Sequence, residues 1–347
     1  MITSIIAFII VIAICVIVHE FGHYITAKIL GVQVHEFAFG MGKALVQHRS
    51  KNTLWSLRIL PIGGFCRLAG MGEDEDGEII IPGMGFNEQS SWKRFLILLN
   101  GSLFNIILAI ILMAAFLYGH GVLNMQSTKI GEIMQNFPSE KAGLKIGDEI
   151  LKINGVQVKV WREMQETLQL EAQKNESLTL EIKRENEIIN VNLTVPFSSE
   201  YSRYMLGISP ALEKFGLIDA IKNSGSFTYR ATVLMLRGIA DLIRGAREID
   251  VTGPVGIASM SGQAMSSGFW SFVMFISMIA LNLGLLNLFP IPALDGGRIL
   301  FVLLEMILRR RLPERVENWI HTAGFVLLIS LMILITCHDV YNIFLTH

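Results

Sequence analysis

Apolar positions dominate four long runs of the chain, and between them apolar and polar residues mix on shorter periods. A helix needs about 20 apolar residues to cross a bilayer core, and four segments reach that length: Ile2 to Ala27, Phe95 to Tyr118, Phe269 to Phe289 and Trp319 to Ile343. After the first run the pattern is not helical. Thr53 to Leu68 alternates in part and is interrupted by Pro61-Ile62-Gly63-Gly64, which predicts a β-hairpin or looped sheet with one apolar face. A re-entrant hairpin beside the first span and a small cytoplasmic sheet both suit that pattern. Short strand-like runs follow at Ile130–Ile133, Glu149–Ile153, Gln157–Val160, Leu178–Arg184 and Ile188–Val195, around a helix-like stretch at Arg162–Ala172. With Asn154-Gly155 as a tight-turn signal, they predict a compact α+β domain. Residues 214–248 are apolar but broken by Lys222, Arg230, Arg237, Asp241, Arg244 and Arg247, as in one or two amphipathic helices. The predicted fold class is a polytopic α-helical membrane protein with about four transmembrane helices, a re-entrant β-hairpin or sheet after the first, and an inserted α+β domain. Its parts are a first membrane segment (1–119), the domain (120–210), amphipathic connecting helices (211–268) and a second membrane segment (269–347).

Composition supports this division. The chain has 347 residues, 52% of them hydrophobic and 17% charged, with a mean hydropathy of +0.49, too apolar for an ordinary soluble protein. A net charge of −1 leaves no basic face for nucleic acid. Cys15, Cys66 and Cys337 are widely spaced in or beside apolar segments and form no disulfide framework. The N-terminus lacks the basic start of a cleavable signal peptide. Lys43, Arg49, Lys51, Arg58, Arg67, Lys93 and Arg94 lie between the first two spans, and Arg298, Arg309, Arg310, Arg311 and Arg315 between the last two. Basic connections stay in the cytoplasm, so both termini and the α+β domain are expected outside. The acidic run Glu73-Asp74-Glu75-Asp76 reads as a solvated loop.

The chemistry concentrates late in the first span, at His19-Glu20-Phe21-Gly22-His23. Two histidines four apart stand on one helix face, so both imidazoles can reach one zinc ion, with the glutamate beside the metal's open position. Ionisable side chains are costly in hydrocarbon, which makes their clustering there a sign of function. A third ligand is required. His35 and Glu36 follow on an extended segment and carry little signal. Asp295 is the stronger candidate: it follows Asn287-Leu-Phe-Pro-Ile-Pro-Ala-Leu at the cytoplasmic end of the third span, where Pro290 and Pro292 break the helix. Broken helices occur in membranes where they line a cavity. The same aspartate also suits the cap of a helix starting at Gly296, and the two roles are compatible.

At these residues the chain resembles the site-2 protease family of intramembrane zinc metalloproteases, closest to the bacterial members that include the regulator of sigma-E protease. The resemblance rests on the tetrad, on Pro61-Ile62-Gly63-Gly64-Phe65, on Thr252-Gly253-Pro254-Val255-Gly256-Ile257 and on the Asn287-to-Arg298 stretch. The run from Ser139 to Gly155 resembles the core signature of PDZ domains, which bind extended peptides by strand addition. Only one such segment is present, where the sigma-E protease type carries two. The resemblance implies zinc held by His19, His23 and Asp295, Glu20 as general base, and substrate or oxyanion contacts from Asn105, Asn287, Gly64 and Phe65.

The expected activity is zinc-dependent endoproteolysis within transmembrane segments, with single-span membrane proteins (anti-sigma factors, for example) or remnant signal peptides as substrates. The expected partners are these substrates, the lipid bilayer and a peptide on the PDZ-like domain. The expected location is the bacterial cytoplasmic membrane, with the active site near the cytoplasmic side. The alternative is a catalytically inactive PDZ-bearing receptor or scaffold. An intact Glu20 argues against it, since a relic site has no need of a base. A zinc protease taking a glutamate as third ligand and a metal transporter are more distant readings.

Overall fold

The buried residues of the first helix, α1 (Ile2–Ile29), run Ala7, Val11, Cys15, His19, Gly22, His23, Thr26 and Ala27. Steps of four up to His19, then of three and four, keep them on one side of a helix, so the two histidines continue the stripe on which the helix packs. The computed structural model describes residues 2–71, 79–199, 201–245 and 253–345. Residues 73–76, Arg247 and Thr252 lie outside them. Beyond α1 come two long antiparallel strands, β1 (Val34–Ser50) and β2 (Thr53–Leu68). The hairpin turn is at Lys51-Asn52, not at the glycine pair expected to break the run. There the strands bend instead: Gly40 and Gly42 in β1 and Gly63 in β2 take positive φ, a region open to glycine without penalty. The bends give β1 two sets of partners, with Phe37 opposite both Cys66 and Trp55, and Phe39 opposite both Gly64 and Leu57. Residues 36–39 thus lie between two stretches of β2.

Glu36, which carries little signal in the sequence, ties these stretches together. It is 2% exposed and accepts hydrogen bonds from Ser56 Oγ, from Arg58 Nη2 at 2.7 Å and from Arg67 Nη2 at 3.3 Å. Tyr24 of α1 meets Phe37 and Trp55 edge-on, and those two rings tilt against each other, all with centroids 5.1–5.4 Å apart, seating the hairpin on α1. A short 3₁₀ turn (Phe86–Glu88) leads into α2 (Ser91–Gly119).

The contacts divide the chain into two compact units, Met1–Phe116 with Ile218–His347, and Leu117–Leu217. In the second unit β3 (Val122–Leu123), β4 (Ile130–Ile133), the short helix α3 (Pro138–Lys141), β5 (Glu149–Ile153) and β6 (Val156–Gln157) precede α4 (Trp161–Lys174). After α4 follow β7 (Ser177–Arg184), β8 (Glu187–Thr194), β9 (Phe197–Ser198), β10 (Arg203–Tyr204), β11 (Ile208–Pro210) and β12 (Leu212–Glu213). The central sheet has the order β6-β5-β7-β8. Asn154 and Gly155, both at positive φ, close the β5–β6 hairpin, the conformation that favours this dipeptide. Trp161, Met164, Leu168 and Ala172 of α4 pack at steps of three and four on Ile150, Leu180 and Ile182.

The first unit resumes with α5 (Leu217–Ile243), a single helix over the stretch read as one or two. It continues with α6 (Pro254–Ser266), α7 (Phe269–Asn287), α8 (Asp295–Leu308) and α9 (Glu314–Leu345). Among the described residues four helices are long and apolar enough to cross a membrane: α1, α2, α7 and the stretch Arg315–Asp339 of α9. Small residues set the helix contacts. A Cβ on Gly22 would fall on the Asn100 carbonyl of α2, one on Gly284 within 2.9 Å of the Ser102 carbonyl, and one on Gly262 within 2.8 Å of Ser4, the close approach typical of membrane helices. Asp339 of α9 accepts the N–H groups of Gly253 (3.2 Å) and Gly256 (2.9 Å) at the start of α6. Arg94 and Glu305, both buried, pair between α2 and α8. Two apolar clusters result. Val11, Cys15, Ala109, Ile276 and Ala280 form one. Ala27, Val34, Leu68, Ile97, Ile299 and Val302 form the other. His19 and His23 fall between them along α1.

Candidate metal centre

Two helices bring three candidate ligand atoms together. His19 and His23 descend from α1. Asp295 opens α8, after a loop at Leu288–Leu294 that leaves α7. Asp295 Oδ2 lies 2.9 Å from His19 Nε2 and 3.2 Å from His23 Nε2, and the two Nε2 atoms are 3.2 Å apart. Around a tetrahedral ion with bonds of about 2.0 Å, ligand atoms sit roughly 3.3 Å from one another, so the triangle matches a shared ion. Asp295 Oδ2 is buried and accepts no hydrogen bond, and a buried acceptor without a donor calls for a cation. The donor set, two imidazoles and a carboxylate, suits zinc with one position left open.

The surroundings orient these groups. His23 Nδ1–H donates to the Ile97 carbonyl at 2.8 Å, so that proton is fixed and the Nε2 lone pair faces the centre. The Asn287 amide lies 3.5 Å from His19 Nδ1. Such partners fix tautomer and ring orientation in metal sites. Glu20 points toward the hairpin, where its Oε2 accepts the Cys66 N–H at 2.8 Å. Cys66 faces Phe37 on its inner side, so the outer edge of β2 is the one that borders α1. Gly101 of α2 closes the centre from behind: a Cβ there would overlap the His23 ring and come within 3.0 Å of His19 Cε1.

The remaining predicted residues lie around this core. Asn105 stands one turn beyond Gly101 on α2; it is fully buried, and neither atom of its amide has a partner. Gly64 and Phe65 are the two residues before Cys66 on β2, with the Arg58 guanidinium 4.8 Å over the Phe65 ring. The sequence alone does not point to the Cys66 amide or the Ile97 carbonyl, and Gly101 stands out there only as the start of the Gly101–Asn105 run that matches the family, with Ser102 in place of a proline. Of these only Gly101 leaves a trace in sequence, a glycine inside an apolar helical run.

The second unit has its own groove, of about 270 Å³, between α4 and residues 203–208, lined by Trp161, Met164, Leu168, Tyr204 and Ile208. Gln169 spans one end. Its amide donates to the Tyr204 carbonyl (2.7 Å) and accepts the Tyr204 N–H (3.0 Å).

Two histidines one helical turn apart and the carboxylate that opens α8 form a group that could hold a metal ion, with Glu20 next to His19 in the chain. Residues 7–331 match the sequence profile of Peptidase family M50. The chain belongs to that family, the site-2 proteases, and is a zinc metalloendopeptidase. Curated relatives bearing the name "Putative zinc metalloprotease" include one from Clostridium acetobutylicum, 35% identical over 94% of each chain. One from Rickettsia conorii is 33% identical over 98% of this chain and 99% of its own. One from Campylobacter jejuni is 33% identical over 97% and 93%. Among solved structures, the PDZ domain of an SdrC-like protein from Listeria innocua aligns with 26% of this chain and 99% of its own, at 17% identity and a TM-score of 0.22.

Proposed function

We propose that His19, His23 and Asp295 hold the zinc ion and that Glu20 is the general base of an intramembrane endopeptidase. The convergence of Asp295 Oδ2 with both imidazole Nε2 atoms carries this reading. When bound, zinc lowers the pKa of its water toward 7 and polarises the scissile carbonyl. Glu20, anchored by the Cys66 amide, takes the proton from the attacking water and returns it to the departing amine. Asn287, whose amide Nδ2 lies 3.5 Å from His19 Nδ1, borders that ring and helps hold its orientation. Asn105, buried without a partner one turn from Gly101, supplies a donor to the substrate carbonyl.

The substrates are single-span membrane proteins or remnant signal peptides. A transmembrane helix must unwind locally before it is cut, and the freed backbone needs partners where water is absent. The outer edge of β2, which passes Glu20 at Cys66, offers them by strand addition, with Gly64 and Phe65 in contact. Spans with Gly, Pro or Ser unwind at lower cost and are the preferred class. The hairpin is re-entrant. The unit from Leu117 to Leu217 is a PDZ domain on the extracytoplasmic side of the bacterial cytoplasmic membrane, where it admits trimmed substrates or binds a peptide in the groove beside α4. The basic connections support an orientation with both termini outside and the zinc site near the cytoplasmic face.

The test is cleavage of a single-span substrate by the purified, reconstituted protein, with products mapped by mass spectrometry. Glu20→Gln is expected to retain zinc and lose about 10²–10⁴-fold in rate. A zinc-loaded Glu20→Gln protein that cuts at the wild-type rate removes Glu20 as the base.

A further inference from the structure

Asp295 reaches the centre from a loop whose backbone is held in an unfavourable shape. Ile291 N–H donates to the Phe289 carbonyl at 2.7 Å, and Leu294 N–H to Ile291 at 3.2 Å. Between them Ala293 has φ +76°, a left-handed conformation that costs a non-glycine residue about 1 kcal/mol or more and persists only where its surroundings impose it. Two features of α9 impose it here. His321, 8% exposed, accepts the Ala293 N–H on Nδ1 at 3.0 Å. One turn further, Gly324 lets the loop lie directly on the helix: a Cβ there would come within 2.9 Å of the Pro292 carbonyl carbon and oxygen. Acceptor and notch thus meet adjacent residues of the loop, two and three positions before Asp295. Phe301 of α8, with its ring centroid 5.7 Å from that of His321, packs against the imidazole.

We propose that His321 is a positioning residue for Asp295. By accepting the Ala293 N–H it fixes the left-handed turn from which the carboxylate meets the two histidines. Because Nδ1 accepts, the ring carries its proton on Nε2, and the contact needs a neutral imidazole. Without the acceptor a half-buried N–H loses its partner, the turn relaxes toward right-handed conformations, and Asp295 Oδ2 leaves the triangle. The inference rests on the reading of Asp295 as a zinc ligand and goes beyond it, since His321 touches neither metal nor substrate.

The test measures zinc affinity of the full-length protein in detergent by competition with a chelator, together with the visible absorption spectrum of the cobalt-substituted protein. His321→Leu is expected to weaken zinc 10–100-fold, the usual effect of losing an outer partner of a ligand, and to shift the cobalt bands. His321→Asn, whose Oδ1 stands near the place of Nδ1, is expected to stay within about threefold of wild type. Adding Ala293→Gly to His321→Leu should recover part of the loss, because glycine holds φ near +76° without strain. A His321→Leu protein with wild-type zinc affinity and cobalt spectrum overturns the proposal, as does equal weakening by His321→Asn and His321→Leu. If His321→Leu does not fold, His321→Asn against His321→Gln decides: the longer side chain displaces the acceptor, so at least tenfold tighter zinc in Asn supports the proposal and equal affinity overturns it. Asp295→Asn separates this inference from the reading beneath it. Wild-type zinc affinity in Asp295→Asn removes the ligand assignment itself, whereas loss of zinc there with none in His321→Leu removes only the positioning role.

Discussion

Gly101→Ala is a one-carbon change that the geometry predicts to be disabling. The added Cβ would overlap both Nε2 and Cε1 of His23 and stand 3.0 Å from His19 Cε1. Carbon atoms in comfortable contact are about 3.5–4.0 Å apart, so the His23 ring must retreat by roughly 1 Å or the two helices must separate. Retreat strains the Nδ1–H bond to Ile97, 2.8 Å long. Separation opens the contact of Gly22 with Asn100, where a Cβ on Gly22 would already lie 2.9 Å from the Asn100 carbonyl carbon. Zinc–nitrogen bonds tolerate about 0.2 Å, so neither response preserves the ligand triangle. The loss should exceed the 10–100-fold of an outer-shell change; a factor of 100 is about 2.7 kcal/mol. Chelator competition on the purified protein measures it. Gly225→Ala in α5, where the added carbon meets open space, is the control and should leave zinc binding unchanged while stabilising its helix by about 0.5–1 kcal/mol. A Gly101→Ala protein that binds zinc within threefold of wild type would refute the close packing of α2 on the two histidines.

Two further predictions concern the supports of the fold. Glu36→Gln leaves Arg58 and Arg67 without their buried carboxylate and should destabilise the first unit by about 3–5 kcal/mol, read as a fall in denaturant midpoint; an unchanged midpoint would show that the hairpin does not depend on this clamp. In the second unit, burial alone would raise the pKa of Asp148, but bonds from Arg184 (2.8 Å to each oxygen) and from the Lys145 N–H (2.8 Å) hold it below the ordinary carboxylate value. A carboxyl lowered by folding contributes stability above its unfolded pKa of about 3.9 and loses it as pH falls through the folded value. Hydrogen exchange of Ser177–Thr194 peptides should therefore show wild type losing its advantage over Asp148→Asn only below about pH 4, and a ratio constant with pH would contradict this.

The sequence made some of this legible and hid the rest for physical reasons. The four apolar helices and the histidine pair follow from periodicity alone, because one helix face both packs and carries the two imidazoles. The β5–β6 turn was readable because two positive-φ positions demand Asn-Gly. The pairing of β1 with β2 was not. Glycine bends let residues 36–39 touch two stretches of one partner strand, and no local pattern encodes that. Glu36 looked unremarkable since its three partners come from positions 56, 58 and 67. A single helix covers Leu217–Ile243, and the scattered charges alone left one helix and two equally open. His321 and Gly101 act on residues far away in sequence, and a lone polar or small residue in an apolar run does not name its partner.

The most direct measurement is X-ray absorption at the zinc edge on the purified wild-type protein and on Asp295→Ala. The account predicts about one zinc per chain, a first shell of nitrogen and oxygen alone at about 2.0–2.1 Å with two imidazoles, and loss of that ion in the variant. Sulfur scattering at about 2.3 Å, or zinc retained with an unchanged shell in Asp295→Ala, would contradict it.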